Sequence, residues 1–220
     1  MVAAPWPLYA LSDLSGNYCD LIMKSHKHNI TGVILAGGKN RRFGSEKALA
    51  KINGKRLIDR IITAMSDVFE ENIIITNNED MYKEFNLKTY PDILEGKGPL
   101  MGVYTALHHS SKDIFVTACD MPFVSTSVIR KIIDSLEGYD AVIPKHSGKL
   151  HFLHAAYSLR CFDVFKKKLA GGFLRLKDIV KELNCNIVEE FKFEDDHLSP
   201  FFNMNTPDDF SLVKDYLNDL

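Results

Sequence analysis

The sequence predicts an α/β protein in which helices cover both faces of a mostly parallel, doubly wound sheet, and three observations carry that prediction. Short apolar, β-branched runs at residues 33–35, 72–76, 114–118 and 141–144 alternate with amphipathic segments at 57–69 and 125–136. The runs lack the apolar-polar alternation of a strand with one wet face, so they read as strands buried on both sides. The 220 residues are 45% hydrophobic and carry a net charge of -2, which suits one domain of this kind.

The first strand, Val33-Ile34-Leu35, breaks into Gly37-Gly38 and is followed by Arg41, Arg42, Gly44 and Lys47. Glycine lets the backbone turn and approach a ligand closely; free N–H groups, an arginine fork and a lysine point charge neutralise phosphate oxygens. This pattern points to a polyphosphate without saying which one. It is not a P-loop, because no Ser/Thr adjoins the lysine, and it is not the Gly-x-Gly-x-x-Gly dinucleotide fingerprint.

Residues 48–52 then read as a short extended piece ending in an Asn53-Gly54 turn, and Leu57, Ile58, Ile61 and Met65 as the core face of a helix. The second strand ends in Asn77-Asn78, where an asparagine either forms the turn or reads a base or ribose with its amide. A third extended segment, 88–92, ends in Asp92 and enters a glycine-rich loop at 96–102, after which an apolar helix runs through Leu107. The nearly all-apolar run 114–118 is the candidate for the sheet centre, and it delivers Cys119-Asp120-Met121-Pro122 at its carboxyl end, where open α/β sheets place ligands. Asp120 is therefore the leading catalytic candidate. A carboxylate at the tip of a buried strand needs a compensating partner, and Mg²⁺ carried in by a nucleoside triphosphate is one. Residues 146–150 read as a loop, 153–157 as a strand, 174–183 as a helix and 187–193 as strand-like, while Thr206-Pro207 suits a helix start. His151 and His154 stay outside the catalytic set, since a packed histidine is the commoner reading.

Leu35, Ala36, Gly37, Gly38, Arg42, Gly44 and Lys47 match the signature LAGGxxxRMGxxK, with Phe43 in place of Met, and so the stretch resembles the molybdenum cofactor guanylyltransferases. Further matches follow in the expected order: Asp92, Gly98, Pro99, Leu100 and Gly102 in DxxxxxGPLxG, then the CDMP tetrapeptide, an HAxY segment that carries Phe152 where the family has proline, and Asn203-Met204-Asn205-Thr206-Pro207. The resemblance implies a Rossmann-like three-layer α/β/α nucleotidyltransferase fold and the transfer of GMP from GTP to molybdopterin, with release of pyrophosphate. It also implies the roles. Asp120 holds Mg²⁺; Lys47 and Arg42 grip the triphosphate within a cradle of Leu35, Ala36, Gly37 and Gly38; Asn78 and Asp92 meet the nucleoside; Asn203 and Asn205 face the pterin. For Asp92 both a guanine and a ribose contact stand, and for Arg175 both an acceptor-phosphate contact and an ordinary surface position. The rival readings are the cytidylyltransferase for the same acceptor, disfavoured by Gly37 where that family has alanine, a sugar-phosphate-type nucleotidylyltransferase, and a nucleotide-binding regulatory module without catalysis.

Composition excludes other classes. The near-neutral charge with dispersed basic residues gives no nucleic-acid footprint, and no stretch reaches membrane-spanning length. Cys19, Cys119, Cys161 and Cys185 form no CxxC pair, which indicates free thiols in a reducing cytoplasm. Residues 1–29 are expected to be an N-terminal extension and 30–220 a single nucleotidyltransferase domain, compatible with a monomer. Because the pterin product is labile, direct hand-over to a molybdoenzyme or its chaperone is expected as well.

Overall fold

β-branched and other apolar residues settle into extended backbone where neighbouring strands and helices cover both faces, and this chain supplies such runs repeatedly. A computed structural model describes residues 29–37, 47–189, 191 and 199–218. In chain order the elements are β1 (Ile30–Leu35), a hairpin of β2 (Lys51–Ile52) and β3 (Lys55–Arg56), α1 (Leu57–Ser66), β4 (Asn72–Ile75), β5 (Lys88–Tyr90), α2 (Pro99–Ser110) and β6 (Asp113–Ala118). They continue with α3 (Thr126–Asp134), β7 (Ala141–His146), β8 (Lys149–Leu150), β9 (His154–Tyr157), α4 (Cys161–Ala170), α5 (Leu176–Ile179), β10 (Cys185–Val188) and α6 (Pro207–Asn218).

The main sheet runs β10-β7-β9-β6-β1-β4-β5 across the molecule, with β8 paired to β7. Strands β6, β1, β4 and β5 are mutually parallel, as are β10 and β7. Strand β9 runs antiparallel between β6 and β7. The doubly wound, mostly parallel sheet expected from the sequence is therefore present. After β1 the chain adds β4 and β5 on one side, then returns to add β6 on the other. Such a reversal opens a crevice beyond the carboxyl ends of the two diverging strands, here where Leu35 stands opposite Ala118.

Alternate residues of each strand feed two cores. Ile34, Ile74 and Phe115 meet Ile58, Ile61 and Met65 of α1 and Ile129 and Ile132 of α3 on one face. Val33, Ile73 and Val116 meet Leu100 and Val103 of α2 and Phe165 of α4 on the other. Each fully buried side chain of this size contributes roughly 1.5–3 kcal/mol of transfer free energy. Gly32 shows how close the packing is: a Cβ there would lie 2.1 Å from Asn72 Oδ1 and 2.7 Å from the Phe69 ring. At the entry to α1, Asp59 accepts a hydrogen bond from the Arg56 N–H at 2.9 Å and closes a capping box, so the helix starts directly out of the hairpin.

Four local expectations are revised. Residues 146–150 are a hairpin turn between β7 and β8, because Ser147 and Gly148 take φ of 48° and 74°, the geometry of a tight two-residue turn. The glycine-rich loop ends sooner than expected, since Pro99 is preorganised for the first helical position and α2 begins there. Residues 174–183 hold only the short α5, which tightens into a 3₁₀ turn at Val180–Glu182 so that Leu183 N–H bonds to Val180 C=O before β10. The extended piece after the glycine loop is β2 alone, preceded by a 3₁₀ turn at Lys47–Leu49, and the Asn53-Gly54 turn joins it to β3. Among the described residues no helix is long and apolar enough to cross a membrane.

Candidate nucleotide site

The carboxyl ends of β1, β4, β5 and β6 lie side by side, and the predicted site residues Leu35, Ala36, Gly37, Asn78, Asp92 and Asp120 stand at or just beyond those ends. At the end of β1, Leu35 C=O accepts from Cys119 N–H at 3.1 Å, and Ala36 N–H donates to Ile75 C=O at 2.9 Å. Leu35 and Ala36 are thereby braced on β6 and β4, both buried. Gly37 follows, exposed, and among the described residues nothing lies within 4 Å of the place a side chain would occupy. Its backbone is thus approachable at the mouth of the crevice. Gly38, Arg42 and Gly44 lie outside the described residues, and Lys47 enters only as the backbone that opens the 3₁₀ turn.

Across the β4–β5 tips the structure makes a pair that sequence reasoning missed. Asn77, not Asn78, engages Asp92: Asn77 Nδ2 donates to Asp92 Oδ2 at 3.2 Å, and the Asp92 N–H donates to Asn77 Oδ1 at 2.9 Å. Asn78 instead bonds through its N–H to Thr76 Oγ1 at 3.2 Å and directs its amide to Met81 Sδ. Partial burial pushes the Asp92 carboxyl above the ordinary carboxylate range; the Asn77 amide opposes that shift and Glu95 adds to it. Gly102 leaves room for this arrangement, since a Cβ there would stand 3.1 Å from Leu35 Cδ2 and 3.8 Å from Asp92 Oδ1. A carboxylate oriented in this way is suited to accept from the ring and exocyclic N–H groups of a purine.

On the other side of β1, Asp120 sits in the turn that ends β6. Its neighbours are fixed by the Cys119 bond to Leu35 and by Met121 N–H to Ala118 C=O at 3.3 Å. Its own carbonyl accepts from Met204 N–H at 2.9 Å. That bond brings the segment before α6 against the Asp120 turn, with Asn203 and Asn205 exposed on either side of the buried Met204. The start of α6 holds the segment in place, as the Thr206-Pro207 pattern predicts. Asp209 accepts from the N–H groups of Asn205 at 2.8 Å and Thr206 at 2.7 Å, and Thr206 Oγ1 accepts from Asp209 N–H at 3.1 Å.

Among the described residues no cluster of three or more His, Cys, Asp or Glu could hold a metal. A Mg²⁺ ion brought in with a nucleoside triphosphate would need only one or two protein carboxylates beside the phosphates, and the Asp120 side chain would fit that requirement. Asp120 is the carboxylate the crevice offers.

Three residues before Met204, Phe201 lies among His146, His151 and His154, with ring centroids 5.3, 4.6 and 5.4 Å away. His154 is fully buried, shares a hydrogen bond between Nδ1 and Thr117 Oγ1 at 3.1 Å, and has its pKa pushed down to about 3 by burial. A ring so placed is neutral and structural. Cys119 packs against the core. Burial raises the thiol pKa of Cys161 well above its ordinary value and that of Cys185 to about 11, so neither is an activated nucleophile.

Two further residues thus belong to the site, Asn77 and Met204. The signal for Asn77 was its position directly after a strand neighbouring the one that ends at Asp92; that for Met204 was an apolar residue alternating with two polar ones.

The MobA-like NTP transferase domain matches residues 32–185. A probable molybdenum cofactor guanylyltransferase of Clostridium perfringens is 40% identical over 191 residues, 84% of this chain and 96% of that protein. A molybdenum cofactor guanylyltransferase of Desulfosudis oleivorans is 32% identical over 82% of this chain and 92% of its own. Among solved structures, molybdopterin-guanine dinucleotide biosynthesis protein A from Archaeoglobus fulgidus superposes with a TM-score of 0.74 at 27% identity, covering 87% of this chain and all of that one (100%).

Proposed function

The chain belongs to the MobA-like NTP transferase family, and on that premise we propose that it transfers GMP from GTP to molybdopterin. The terminal phosphate of molybdopterin attacks the α-phosphorus of GTP, one P–O bond forms, the α–β anhydride bond breaks, and pyrophosphate leaves with the electron pair. Such a displacement needs positioning and charge neutralisation, with no covalent intermediate on the protein. The single observation that carries the reading is the convergence at the β1/β6 switch point, where Gly37 and Asp120 each follow, two residues on, the paired ends Leu35 and Ala118 of adjacent parallel strands.

In this reading Lys47 and Arg42 grip the triphosphate and the Gly37 and Gly38 amides line its cradle. Asp92, oriented by Asn77, accepts from guanine N–H groups, which cytosine does not offer in that pattern. Asn203 and Asn205 meet the pterin next to Asp120. Asp120 would hold a Mg²⁺ ion bound with the nucleotide, and the ion would supply charge stabilisation at the phosphate oxygens. Direct transfer of the labile product to a molybdoenzyme or its chaperone completes the proposal.

Pyrophosphate release by the full chain with Mg²⁺ and molybdopterin, comparing GTP with CTP, tests it. Release with GTP alone, reduced by roughly 100-fold or more in Asp120→Ala, is the expected result. Release with CTP would overturn the base assignment, and silence with both nucleotides would overturn the activity.

A further inference from the structure

Beside the site lies a third, small core, separate from the two that flank the sheet. Ile52, Leu57, Met204 and Val213 are its buried members, and Phe123 and Phe202 pack against it. Its segments adjoin the candidate ligand residues: Ile52 follows the glycine loop and Lys47, Phe123 follows Asp120, and Met204 stands between Asn203 and Asn205. One small apolar cluster therefore ties together chain segments that are distant in sequence and share only their nearness to the proposed ligands.

Within this core Met204 is set apart by its backbone. Its side chain is 1% exposed, while its N–H donates to the carbonyl of Asp120 at 2.9 Å. The other main-chain bonds at this turn hold the residues that flank Asp120, through Cys119 to Leu35 and Met121 to Ala118. We infer that Met204 is a positioning residue: the core fixes its side chain, its N–H fixes the Asp120 peptide, and the carboxylate is thereby held where the metal-nucleotide complex needs it. The inference rests on the reading of Asp120 as the Mg²⁺ ligand.

Loosening this anchor leaves the chemistry of Asp120 intact and blurs its place. Displacement by about an ångström is costly for a group acting on a reacting centre. Metal binding should suffer before nucleotide binding, because the base and the phosphates are assigned to other residues.

The test is calorimetric GTP binding to the full chain across a Mg²⁺ titration. Met204→Ala is expected to raise the half-saturating Mg²⁺ concentration about tenfold, a shift of roughly 1.4 kcal/mol, with GTP affinity at saturating Mg²⁺ kept within about twofold. Met204→Leu conserves volume and should restore the original curve. Val213→Ala opens the same core away from the Asp120 peptide, so it should lower Tm and leave the Mg²⁺ curve in place. If Met204→Ala does not fold, Met204→Val should show a smaller shift in the same direction. Equal shifts in the Met204 and Val213 variants, or no restoration by leucine, would overturn the inference. Mg²⁺-dependent GTP binding without turnover on molybdopterin would sink the guanylyltransferase reading while leaving the anchor supported by its own shift; Mg²⁺-independent GTP binding by the unsubstituted chain would sink the anchor.

Discussion

The two sides of the β1/β6 crevice hold their polar residues by different physics. On the β4–β5 side, Asn77 and Asp92 stand at a rim, where the Asn77 side chain bonds both the Asp92 carboxylate and the Asp92 N–H within reach of water. On the β6 side, Asp120 is held through its backbone by Met204, in a segment that also packs the buried Phe201 against His151 and the buried His154. A rim pair suits selection: a base arrives edge-on, exchanges water for hydrogen bonds and leaves again. A backbone anchor against a dense interior suits a charge whose position must not drift. The difference teaches that, on the proposed roles, the Asp92 rim is cheap to perturb locally, whereas the Asp120 side is expensive to perturb and its perturbation spreads into stability.

The largest expected effect probes the buried side. An unfolded histidine titrates near 6.5, while burial holds folded His154 at about 3. Between those values the unfolded chain binds the extra proton, so the stability associated with His154 is complete above pH 6.5 and declines as pH falls below it. At pH 5 the decline is about 2 kcal/mol. Burial lowers His151 in the same direction, so a residual slope belongs to that ring. Urea unfolding at pH 7.5 and pH 5 should show His154→Gln to be less stable at the higher pH, through lost packing, yet less sensitive to acid by about 2 kcal/mol. An unchanged slope would place the acid sensitivity elsewhere and break the contrast between the two sides.

A smaller effect is expected at the rim. Asp92→Asn replaces one acceptor oxygen by a donor, which faces the guanine N–H groups with the wrong polarity. kcat/KM for GTP should fall by roughly 10- to 100-fold, in line with about 1–3 kcal/mol for a bidentate base contact, while Tm changes little. A variant that loses Tm as heavily as it loses GTP would show that the rim is as structural as the interior.

Legibility in the sequence follows the same division. The parallel strands were readable because β-branched runs buried on both faces have no other comfortable state, and Asp120 was readable because it follows the most apolar of them. Direction was not readable: the Ala155-Ala156-Tyr157 run looks the same in a parallel or an antiparallel strand, and only the short β7–β8 hairpin turns the chain so that β9 runs backwards between β6 and β7. The hairpin itself was hidden because Ser147 takes positive φ, which side chains rarely do. Asn77 required knowing which strand tips are neighbours, a fact of topology. Met204 required knowing that its N–H faces a carbonyl far back in the chain, which no residue type announces.

The smallest effect separates recognition from stability most cleanly. Burial raises the Asp92 carboxyl and the Asn77 amide opposes the rise. Guanine binding needs the ionised form, so GTP affinity is full above the Asp92 pKa and is lost as pH falls through it. That transition lies above the ordinary carboxylate value. Asn77→Ala removes the opposing hydrogen bond, so the transition should move to higher pH, with KM for GTP raised about threefold near neutrality, the worth of one modest hydrogen bond, and further at pH 5. The stability sign at Asp92 is opposite to that at His154: a raised carboxyl favours proton uptake by the folded state, so its contribution to stability grows as pH falls. Asp92 itself therefore cannot cause opening on acidification, and the unfolding curves separate a rise in GTP KM at the rim from the acid destabilisation assigned to His154 and His151. Steady-state kinetics from pH 8 to pH 5 in the Asn77→Ala variant, beside unfolding curves at the same points, decides it: if GTP affinity and stability decline together with one midpoint, the rim is not an independent recognition element.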